Sequence, residues 1–552
     1  MPISPSNEQL EAIEYPHNKV ITARPGSGKT FILAQMIVKD SVDLLSYQGI
    51  VAISYTRKAS AELRNRCTRY GVVRNKSFYG TIDSFCLNEV VSPYLSRYPG
   101  ASSKLDIIDS DNDYDKLSAG DKEQKVNQAL KSGILPINIA CSAALQILNS
   151  VPAAEDYIKA RYRSVYVDEY QDCGEPQHEL VMKLSSLGLK TVVVGDLDQA
   201  VFGWANKSSG YLCSLLESPE FKNFDLTENY RCHPSIVSYS RCLLGYPYEY
   251  IPKSRSQKDF RVIRARVVHA NSNTNSVQRH TDEKSVINVL GRYLNEIKKR
   301  YDIRDNSDIA ILARSNAVLD RCASEASILN LPTKLHRDSP LNTSFSVWAN
   351  LFDRLLEIYH SHERYAPNFV DMYISPYSNA RRRFKAVDLL SNYFSLRPES
   401  LRERIDIAIE IAQLCEPNAY RDADVKMYTS LVSKVDKLKA YYTPSATNEI
   451  NLLTYHKAKG MEFDAVVCLD VYDSVLPAPQ GCHPYDVYKE TLSLHYVGIT
   501  RARKICYIPT ATHRHEYDRG NGDYRLVPAK PSPFLERNGV RRLRLEVEWI
   551  TQ

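Results

Sequence analysis

The stretch of residues 20–30, VITARPGSGKT, combines the residue types that can hold a chain of phosphates. Apolar residues of a predicted strand run into a loop of Gly, Pro and Ser, which closes on Lys29 and Thr30 before a predicted helix. Glycine tolerates the positive φ angles that turn successive N–H groups towards one anion, and the helix adds its positive dipole end. Lys29 suits β- and γ-phosphates, and Thr30 suits Mg²⁺. The generic pattern has Gly where Ala23 stands, so a plain strand-to-helix loop is the alternative.

Carboxylates follow the predicted strand of residues 164–167, where Asp168 and Glu169 come next. Adjacent carboxylates at a strand end can hold hydrated Mg²⁺ and orient or deprotonate the water that attacks a phosphoanhydride. The predicted strand of residues 191–194 leads in the same way to Gln199, whose amide can sense a γ-phosphate. Acidic residues after a strand are common, so this prediction depends on the phosphate loop.

Arginine and aromatic side chains also follow predicted strands or helices. Arg231 comes after the stretch that begins at Leu226, and Arg501 lies in residues 492–503, which predict a helix. A guanidinium keeps its charge and presents planar donors, which suits a transferring phosphoryl group. Phe202 and Trp204 can stack on bases of a single strand, with ordinary core packing as the alternative.

The elements that must position these residues alternate between short buried strands and helices, which predicts parallel sheets flanked by helices. Further strands are predicted at residues 308–313, 449–454, 465–469 and 505–508, the last as the closing strand. Two segments lack this alternation and predict helical insertions, residues 86–160 and 344–445, with the polar residues 110–125 as a loop in the first. The fold class is therefore α/β, interrupted twice by helical segments.

Composition excludes several other classes. The net charge of +6, from 71 basic and 65 acidic residues, does not mark a wholly basic nucleic-acid protein. Twelve cysteines without a CxxC pair argue against a zinc ribbon, a redox dithiol or an iron–sulfur site, and predict buried thiols in a reducing cytoplasm. No signal segment opens the chain and no apolar run approaches the ~18 residues of a membrane span. A cytoplasmic protein with no membrane partner is expected.

Eight stretches occur in one order that resembles the UvrD/Rep/PcrA helicases of superfamily 1A. They are SNEQ (6–9), ARPGSGKT (23–30), YTRKASAELR (55–64), VDEYQD (167–172), VGDLDQAVFGW (194–204), TENYR (227–231), TYHKAKGMEFD (454–464) and YVGITRAR (496–503). That family commonly has Ala at the position of Ala23. The resemblance implies two RecA-like P-loop NTPase cores: core 1A from residues 1–85 and 161–228, and core 2A from 229–343 and 446–552. Insertion 1B is then residues 86–160, and a short insertion 2B is residues 344–445.

The resemblance also implies ATP and Mg²⁺ as cofactors and single-stranded or tailed duplex DNA as substrate. The implied catalytic residues are Lys29, Asp168, Glu169, Gln199, Arg231 and Arg501, and the implied Mg²⁺ ligands are Thr30 and Asp168. The implied ATP-binding residues are Gln9, Ala23, Arg24, Pro25, Gly26, Ser27, Gly28, Lys29, Thr30, Arg64, Tyr230, Arg231, Glu462 and Arg501. The implied DNA-binding residues are Tyr55, Thr56, Phe202, Trp204 and His456. Asp83, where the family usually has His, and Ala205-Asn206, where it has Arg-Gly, depart from the pattern.

Three functions remain open on the sequence. The first is an ATP-dependent, 3′ to 5′ single-strand translocase or DNA helicase. The second is an ATPase subunit that senses DNA ends or nucleotides and regulates a nuclease, because the short second insertion resembles the helicase-like subunit of Gabija anti-phage systems, which works with an OLD-family nuclease. No nuclease motif of the RecB kind is evident, so cutting would come from an OLD-family or other nuclease subunit. The third is a DNA-independent P-loop ATPase.

Overall fold

The computed structural model describes residues 4–54, 57–71, 76–108, 110–111, 113–199, 210–246, 260–270, 280–344, 346–361, 364–374, 379–417, 419–477, 484–518, 520 and 522–551. The strands in chain order are β1 (Lys19–Ala23), β2 (Gly49–Ile53), β3 (Phe78–Gly80), β4 (Asp106–Ile108), β5 (Ile134–Pro136), β6 (Tyr162–Val167), β7 (Lys190–Gly195), β8 (Lys222–Leu226), β9 (Val262–His269), β10 (Ile309–Ala313), β11 (Thr333–Leu335), β12 (Ile450–Thr454), β13 (Phe463–Cys468), β14 (Ala502–Thr510), β15 (His513–Asp518), β16 (Asp523–Pro528) and β17 (Leu545–Thr551).

Helices separate most of these strands, and short 3₁₀ turns and one π-helical segment join some of them. The α-helices are α1 (Asn7–Glu14), α2 (Lys29–Ser41), α3 (Arg57–Arg69), α4 (Ile82–Phe85), α5 (Ser92–Tyr94), α6 (Ala119–Ser132), α7 (Ala140–Ser150), α8 (Pro152–Arg161), α9 (Glu175–Ser186), α10 (Gly210–Glu217), α11 (Pro234–Leu244), α12 (Glu283–Arg300), α13 (Asn316–Ile328), α14 (Pro340–Thr343), α15 (Val347–His360), α16 (Ala366–Tyr373), α17 (Ala380–Ser395), α18 (Ile405–Cys415), α19 (Asp422–Val432), α20 (Val435–Tyr442) and α21 (Pro484–Ile499).

Two parallel sheets form the cores of the molecule. The first has six strands in the order β3-β2-β6-β7-β1-β8, and the second has seven in the order β11-β12-β10-β13-β14-β9-β17. Both faces of each sheet are covered: Val20 packs into one apolar cluster and Ile21 into another, and Leu312 and Ile311 divide in the same way in the second sheet. Strands buried on both faces are continuous apolar runs, which is why they were recognisable in the sequence. The predicted fold class, two parallel α/β cores, is confirmed.

The strand order of the first sheet brings the phosphate loop and the predicted carboxylates to the same edge. β1 lies between β7 and β8, with Ile21 opposite Val194 on one side and Phe224 on the other. Parallel strands end at the same edge, so the loops after β1, β6 and β7 all begin at the carboxyl edge of the first sheet. Ligands of open parallel sheets bind at this edge.

The segments predicted as insertions are mainly helical. Residues 347–442 fold as α15 to α20 around a separate apolar cluster that includes Trp348 and Phe352. The earlier segment contains α5 to α8, but it also contains a two-stranded parallel pair, β4 with β5, which the sequence did not indicate. The polar residues 110–125 are not all loop, because α6 begins at Ala119 and buries Val126 and Leu130 on one face. The first turns of that helix face solvent, so their polar composition was mistaken for a loop.

Two predictions near the C-terminus of the sequence are wrong. The helix predicted at residues 492–503 is α21, which ends at Ile499, so Arg501 lies in the link to β14. The strand predicted at residues 505–508 does not close the sheet, because β17 follows it and pairs in parallel with β9 at the edge. The cysteine prediction also has an exception: among the described cysteines Cys213 is exposed, while the others are buried.

Among the described residues no single helix is long and apolar enough to span a bilayer. One helix pair, Ile137–Ser150 with Pro152–Arg161, meets the criteria of length and composition when its two parts are joined, although they are bent by 102° at the break.

Candidate active site

The phosphate loop has a backbone shape that glycine adopts without strain. Gly26 has φ 76° and Gly28 has φ 88°, both in the left-handed region, and Gly28 is the N-cap of α2. A Cβ on Gly28 would lie 2.8 Å from Nε2 of Gln9, and that amide donates a hydrogen bond of 2.9 Å to the carbonyl of Ser27. The loop is therefore shaped by glycine, braced from α1, and continuous with a helix N-terminus that suits an anion.

Gln9 is held by helix α1 through a reciprocal cap. Ser6 is the N-cap: its hydroxyl accepts the backbone N–H of Gln9 at 3.4 Å, and Oε1 of Gln9 accepts the N–H of Ser6 at 3.1 Å. The side chain is buried. Each end of its amide has one partner within the chain, which fixes the orientation of the side chain and leaves a second N–H and a second lone pair for a ligand.

Lys29 places a buried ammonium at the start of α2. Its Nζ lies 3.4 Å from Oε1 of Glu169 and makes no hydrogen bond to the part of the chain that the structure describes. Burial acts to lower the pKa of Lys29, but Glu169, Asp196 and Asp168 outweigh it and raise this pKa above its ordinary value. A charged, buried ammonium without hydrogen bonds is suited to phosphate oxygens.

Asp168 and Glu169 are adjacent carboxylates whose pKa values are shifted in opposite directions. Oδ1 of Asp168 accepts the backbone N–H of Glu169 at 2.9 Å, and Glu169 has φ 53°, a left-handed conformation that is uncommon for a residue with a side chain. Burial and the neighbouring Glu169 raise the pKa of Asp168. Burial also acts to raise the pKa of Glu169, but Lys29 and Lys459 outweigh it and hold that pKa below its usual range. Such a separation of two carboxylates is typical of acid–base sites.

The donors near Asp168 fit a small divalent cation. Asp168 offers a buried carboxylate after β6, and Thr30 offers a hydroxyl on the first turn of α2. Hard oxygen donors of this kind are those that Mg²⁺ takes from protein. Burial and the Glu169 carboxylate raise the pKa of Asp168 more than Lys29 and Lys459 lower it, and a bound cation would add further positive charge beside this carboxylate.

A lysine from the second sheet reaches the carboxylates of the first. Lys459, between β12 and β13, has its Nζ 2.5 Å from Oδ2 of Asp172 and 3.7 Å from Oε2 of Glu169, and it donates to the carbonyl of Gln199 at 3.2 Å. Burial raises the pKa of Asp172 to about 6, and Lys459 opposes that rise. Sequence reasoning assigned no role to Lys459, because nothing local to it indicates a partner 287 residues away.

Arg501 makes a second contact across the two sheets. Its Nη2 lies 3.4 Å from Oε1 of Gln199, and its Nε donates to the carbonyl of Val497 at 3.0 Å. Nε2 of Gln199 in turn donates to Oδ2 of Asp196 at 2.5 Å. Burial and nearby Arg231 lower the pKa of Arg501 to about 10, so the guanidinium stays charged at neutral pH. Gln199 and Arg501, two of the residues that the sequence linked to the γ-phosphate or to the transferring phosphoryl group, are therefore in contact.

The chain that joins the two cores passes directly over the phosphate loop. Asn229 donates from Nδ2 to the carbonyl of Pro25 at 2.6 Å, and its Oδ1 accepts the backbone N–H of Arg231 at 2.9 Å. The backbone N–H of Tyr230 donates to the carbonyl of Gly26 at 2.8 Å, and the Tyr230 side chain is 58% exposed. Asn229 was missed by sequence reasoning, although it lies in the TENYR stretch.

Tyr246 is another residue that the sequence did not indicate. It follows α11, and its ring centroid lies 4.9 Å from the guanidinium of Arg24 in the phosphate loop. Its hydroxyl donates to Oδ1 of Asp198 at 3.3 Å, and burial raises the pKa of that carboxyl to about 6. Tyr246 therefore bridges the phosphate loop and the segment that follows β7.

The remaining predicted residues are placed with less contact to the loop. Ala23 is buried at the end of β1, and Arg64 lies on α3. His456 follows β12 and is mostly buried, and burial, Arg314 and Lys459 lower its pKa to about 4. Four predicted DNA-binding residues lie outside the described residues: Tyr55, Thr56, Phe202 and Trp204.

Fold and site together define a P-loop NTPase with two parallel-sheet cores, in which groups from the second sheet approach a phosphate loop on the first. A comparison with protein families matches residues 6–135 and 123–216 to the UvrD/REP helicase N-terminal domain, and residues 355–513 to the UvrD-like helicase C-terminal domain. The chain belongs to the UvrD-like helicases, which are ATP-hydrolysing enzymes that act on DNA. The resemblance seen in the sequence is thereby confirmed.

Individual relatives align over most of the chain. Gabija protein GajB of Bacillus cereus (strain VD045) is 25% identical over 521 residues, which cover 90% of this chain and 93% of that protein. The ATP-dependent DNA helicase PcrA of Staphylococcus epidermidis is 23% identical over 643 aligned residues, covering 96% of this chain and 86% of the relative. PcrA of Staphylococcus aureus is also 23% identical, with coverage of 97% and 87%.

Proposed function

We propose that the chain hydrolyses ATP between its two cores and uses the cycle to move 3′ to 5′ along single-stranded DNA. One observation carries this proposal: groups from both sheets meet at the same carboxylate, Glu169, which lies near Lys29 from the phosphate loop and Lys459 from the second sheet. A nucleotide bound there touches both cores, so binding closes the cleft between them and hydrolysis reopens it. Alternating grip on the bases by Phe202, Trp204 and His456 then becomes movement along the strand.

The residues divide the chemistry between them. The backbone of residues 23–28 and Lys29 hold the phosphates, Arg231 and Arg501 stabilise the charge of the transferring phosphoryl group, and Gln199 senses the γ-phosphate. Glu169 accepts the proton of the attacking water, because nearby lysines keep its carboxylate ionised. Thr30 and Asp168 would hold Mg²⁺, which supplies charge neutralisation of the phosphates when bound. Gln9 and Tyr230 contact adenine, and Glu462 contacts the ribose.

The domain boundaries belong to the same proposal. Core 1A comprises residues 1–85 and 161–228, and core 2A comprises residues 229–343 and 446–552. Residues 86–160 and 344–445 are the insertions 1B and 2B. Limited proteolysis near residue 445 is the simplest way to examine the limit of insertion 2B, because domain boundaries lie where few contacts cross.

A second candidate function is favoured by the similarity to GajB. The alignment covers 93% of that protein, and the name of that relative places it in a Gabija system. On this candidate the chain is the ATPase subunit of an anti-phage system, senses DNA ends or nucleotides, and controls a partner nuclease of the OLD family or another family. Duplex unwinding by the isolated chain favours the first function, whereas DNA-stimulated ATP turnover without unwinding favours the second.

The proposal is tested by ATP turnover with and without single-stranded DNA. We expect DNA to stimulate the wild type, and Lys29→Ala or Glu169→Gln to reduce turnover by at least roughly a hundredfold, the size of a lost charge-stabilising or acid–base group. Lys39→Ala is the matched control: Lys39 is on the same helix, α2, but pairs with Glu14 at the surface. An ATP turnover rate that is the same with and without DNA would support a DNA-independent ATPase instead. An unchanged turnover rate in Lys29→Ala would refute the assignment of the phosphate loop as the ATP-binding site.

A further inference from the structure

Glu462 and Arg503 project from the same edge of the second sheet. Glu462 directly precedes β13, and Arg503 is the second residue of β14. These strands are parallel neighbours with Phe463 opposite Ala502, so both residues lie at the amino-terminal edge. Asp308 directly precedes β10, the other neighbour of β13, and lies at that edge as well.

Arg503 is surrounded by carboxylates. Its Nε lies 2.7 Å from Oδ1 of Asp464, its Nη2 lies 3.3 Å from Oδ1 of Asp308, and its Nη1 lies 3.8 Å from Oε1 of Glu462. Lys504 pairs with the other oxygen of Asp464 at 2.8 Å. The Asp464 and Asp308 contacts fix the guanidinium, while the longer distance to Glu462 leaves that pair incompletely formed.

Glu462 is shared between two arginines. Its Oε2 lies 2.5 Å from Nε of Arg231, whereas its Oε1 faces Arg503. The Glu462 carboxylate therefore lies between Arg231, which is 2.5 Å away, and Arg503, which is 3.8 Å away.

Arg231 is the arginine that lies beside the phosphate loop. A Cβ built on Gly26 would be 2.7 Å from the Cβ of Arg231, and Asn229 joins the Arg231 backbone to the loop carbonyl of Pro25. A phosphate held by the loop and the Glu462 carboxylate are both anions, so they compete for the Arg231 guanidinium. Glu462 lies at one nitrogen of Arg231, its Nε, so a phosphate can approach that nitrogen only when Glu462 moves away.

We propose that Glu462 occupies Arg231 as an internal stand-in for phosphate, and that Arg503 is the positioning residue that receives Glu462 when a nucleotide enters. The inference rests on the proposed function, because it requires a nucleotide at the phosphate loop. Arg503 does not touch the phosphates. It lowers the free energy of the state in which Arg231 is free, and it holds Glu462 at the sheet edge, where the ribose is expected.

The test is steady-state ATP turnover by the full chain, together with inhibition by tripolyphosphate, which lacks ribose and base. Arg503→Gln should raise the KM for ATP and the inhibition constant of tripolyphosphate by a similar factor, roughly tenfold, a moderate coupling between two sites. Lys504→Gln removes a neighbouring charge that pairs with Asp464 but does not contact Glu462, and it should leave both constants unchanged. In the double variant Glu462→Gln with Arg503→Gln, the competing charge is absent, so tripolyphosphate inhibition should recover.

Each other result has a definite meaning. Wild-type protein without ATP turnover overturns the proposed function, whereas normal wild-type turnover with unchanged constants in Arg503→Gln overturns only the role of Arg503. A raised KM for ATP with unchanged tripolyphosphate inhibition would mean that Arg503 acts through the ribose alone and would refute the exchange at Arg231. If Arg503→Gln does not fold, Arg503→Lys, which keeps a charge near Asp464, is used in its place. Its KM for ATP and its inhibition constant for tripolyphosphate are then compared with those of the wild type.

Discussion

At the residue scale, Glu169 joins an unusual backbone to an unusual charge environment. Its left-handed φ of 53° turns the chain sharply after β6, and its carboxylate lies between Lys29 and Lys459. The left-handed conformation costs a residue with a Cβ atom about 1–2 kcal/mol in conformational energy. Strained conformations of this type cluster at functional sites. The backbone strain and the lowered pKa both fall on Glu169, and the lowered pKa keeps its carboxylate ionised for the role proposed above.

Burial of a neutral histidine predicts acid sensitivity. His495, on α21, is fully buried against Phe534, neither ring nitrogen makes a hydrogen bond to described residues, and burial and Arg544 lower its pKa to about 3. Because the folded-state pKa lies below the unfolded value, this group's contribution to stability is complete above about pH 6.5 and is lost as the pH falls towards 3. The loss approaches about 1.4 kcal/mol for each pH unit within that window.

The measurement is the thermal unfolding midpoint of His495→Leu and of the wild type between pH 7 and pH 4. We expect the variant to lose less stability than the wild type as the pH falls, because leucine binds no proton. His17→Gln, at an exposed histidine, is the control and should follow the wild type. Equal slopes for His495→Leu and wild type would contradict the prediction.

At the scale of the element, the N-terminus of α2 depends on the absence of a side chain. Gly28 combines φ 88° with a neighbouring amide, that of Gln9, which a Cβ would approach to 2.8 Å. Gly188, which follows α9, has φ 90° but open space around the position of a Cβ. A substitution at Gly188 therefore introduces backbone strain alone, whereas one at Gly28 introduces backbone strain together with a clash against Gln9.

Gly28→Ala should damage nucleotide binding, whereas Gly188→Ala should only reduce stability. Both variants place alanine in the left-handed region, at a cost of about 1–2 kcal/mol. Only Gly28→Ala also displaces the Gln9 amide from the phosphate loop, so we expect it to raise the KM for ATP by roughly tenfold or more, the size of one or two charge-assisted contacts. Kinetics and thermal unfolding of both variants provide the comparison, and an equal KM in the two would show that close packing against Gln9 is unimportant.

At the scale of the whole molecule, the two sheets are joined by a few polar contacts at the reacting edge. Lys459 with Asp172, Arg501 with Gln199, and Tyr246 with Asp198 each link residues of different sheets or the segments attached to them. A nucleotide placed among these groups would exchange partners with them rather than enter an empty cleft. Binding energy can therefore be converted into relative movement of the cores.

Removal of Lys459 tests this coupling. Asp172 is 1% exposed, so Lys459→Ala leaves a buried carboxylate without its cation, and we expect a loss of about 3 kcal/mol in the free energy of unfolding. Lys457→Ala is the matched control two residues away: it breaks an exposed pair with Asp338, worth at most about 1 kcal/mol. Thermal unfolding midpoints should fall clearly for Lys459→Ala and little for Lys457→Ala. Similar midpoints for the two variants would mean that the cross-sheet pair does not contribute.

The features of this protein that depend on short stretches of chain could be predicted without a structure. The phosphate loop, the carboxylates after β6 and the strands buried on both faces depend on glycine conformation and on runs of apolar residues within short stretches. Local sequence patterns predicted the wrong structure where the solvent exposure of a helix changes along its length. The solvent-facing first turns of α6 resembled a loop, and the apolar run of α21 concealed its end before β14.

Only the tertiary structure decided which residues meet. Gln199 and Arg501 are separated by 302 positions, and Lys459 and Asp172 by 287, so no local pattern could pair them. Tyr246, Asn229 and the position of Arg503 between Glu462 and two aspartates likewise result from strand order and from the docking of two sheets. Contacts of this kind depend on the relative position of distant elements, which is set by packing of the whole chain and not by the composition of any one segment.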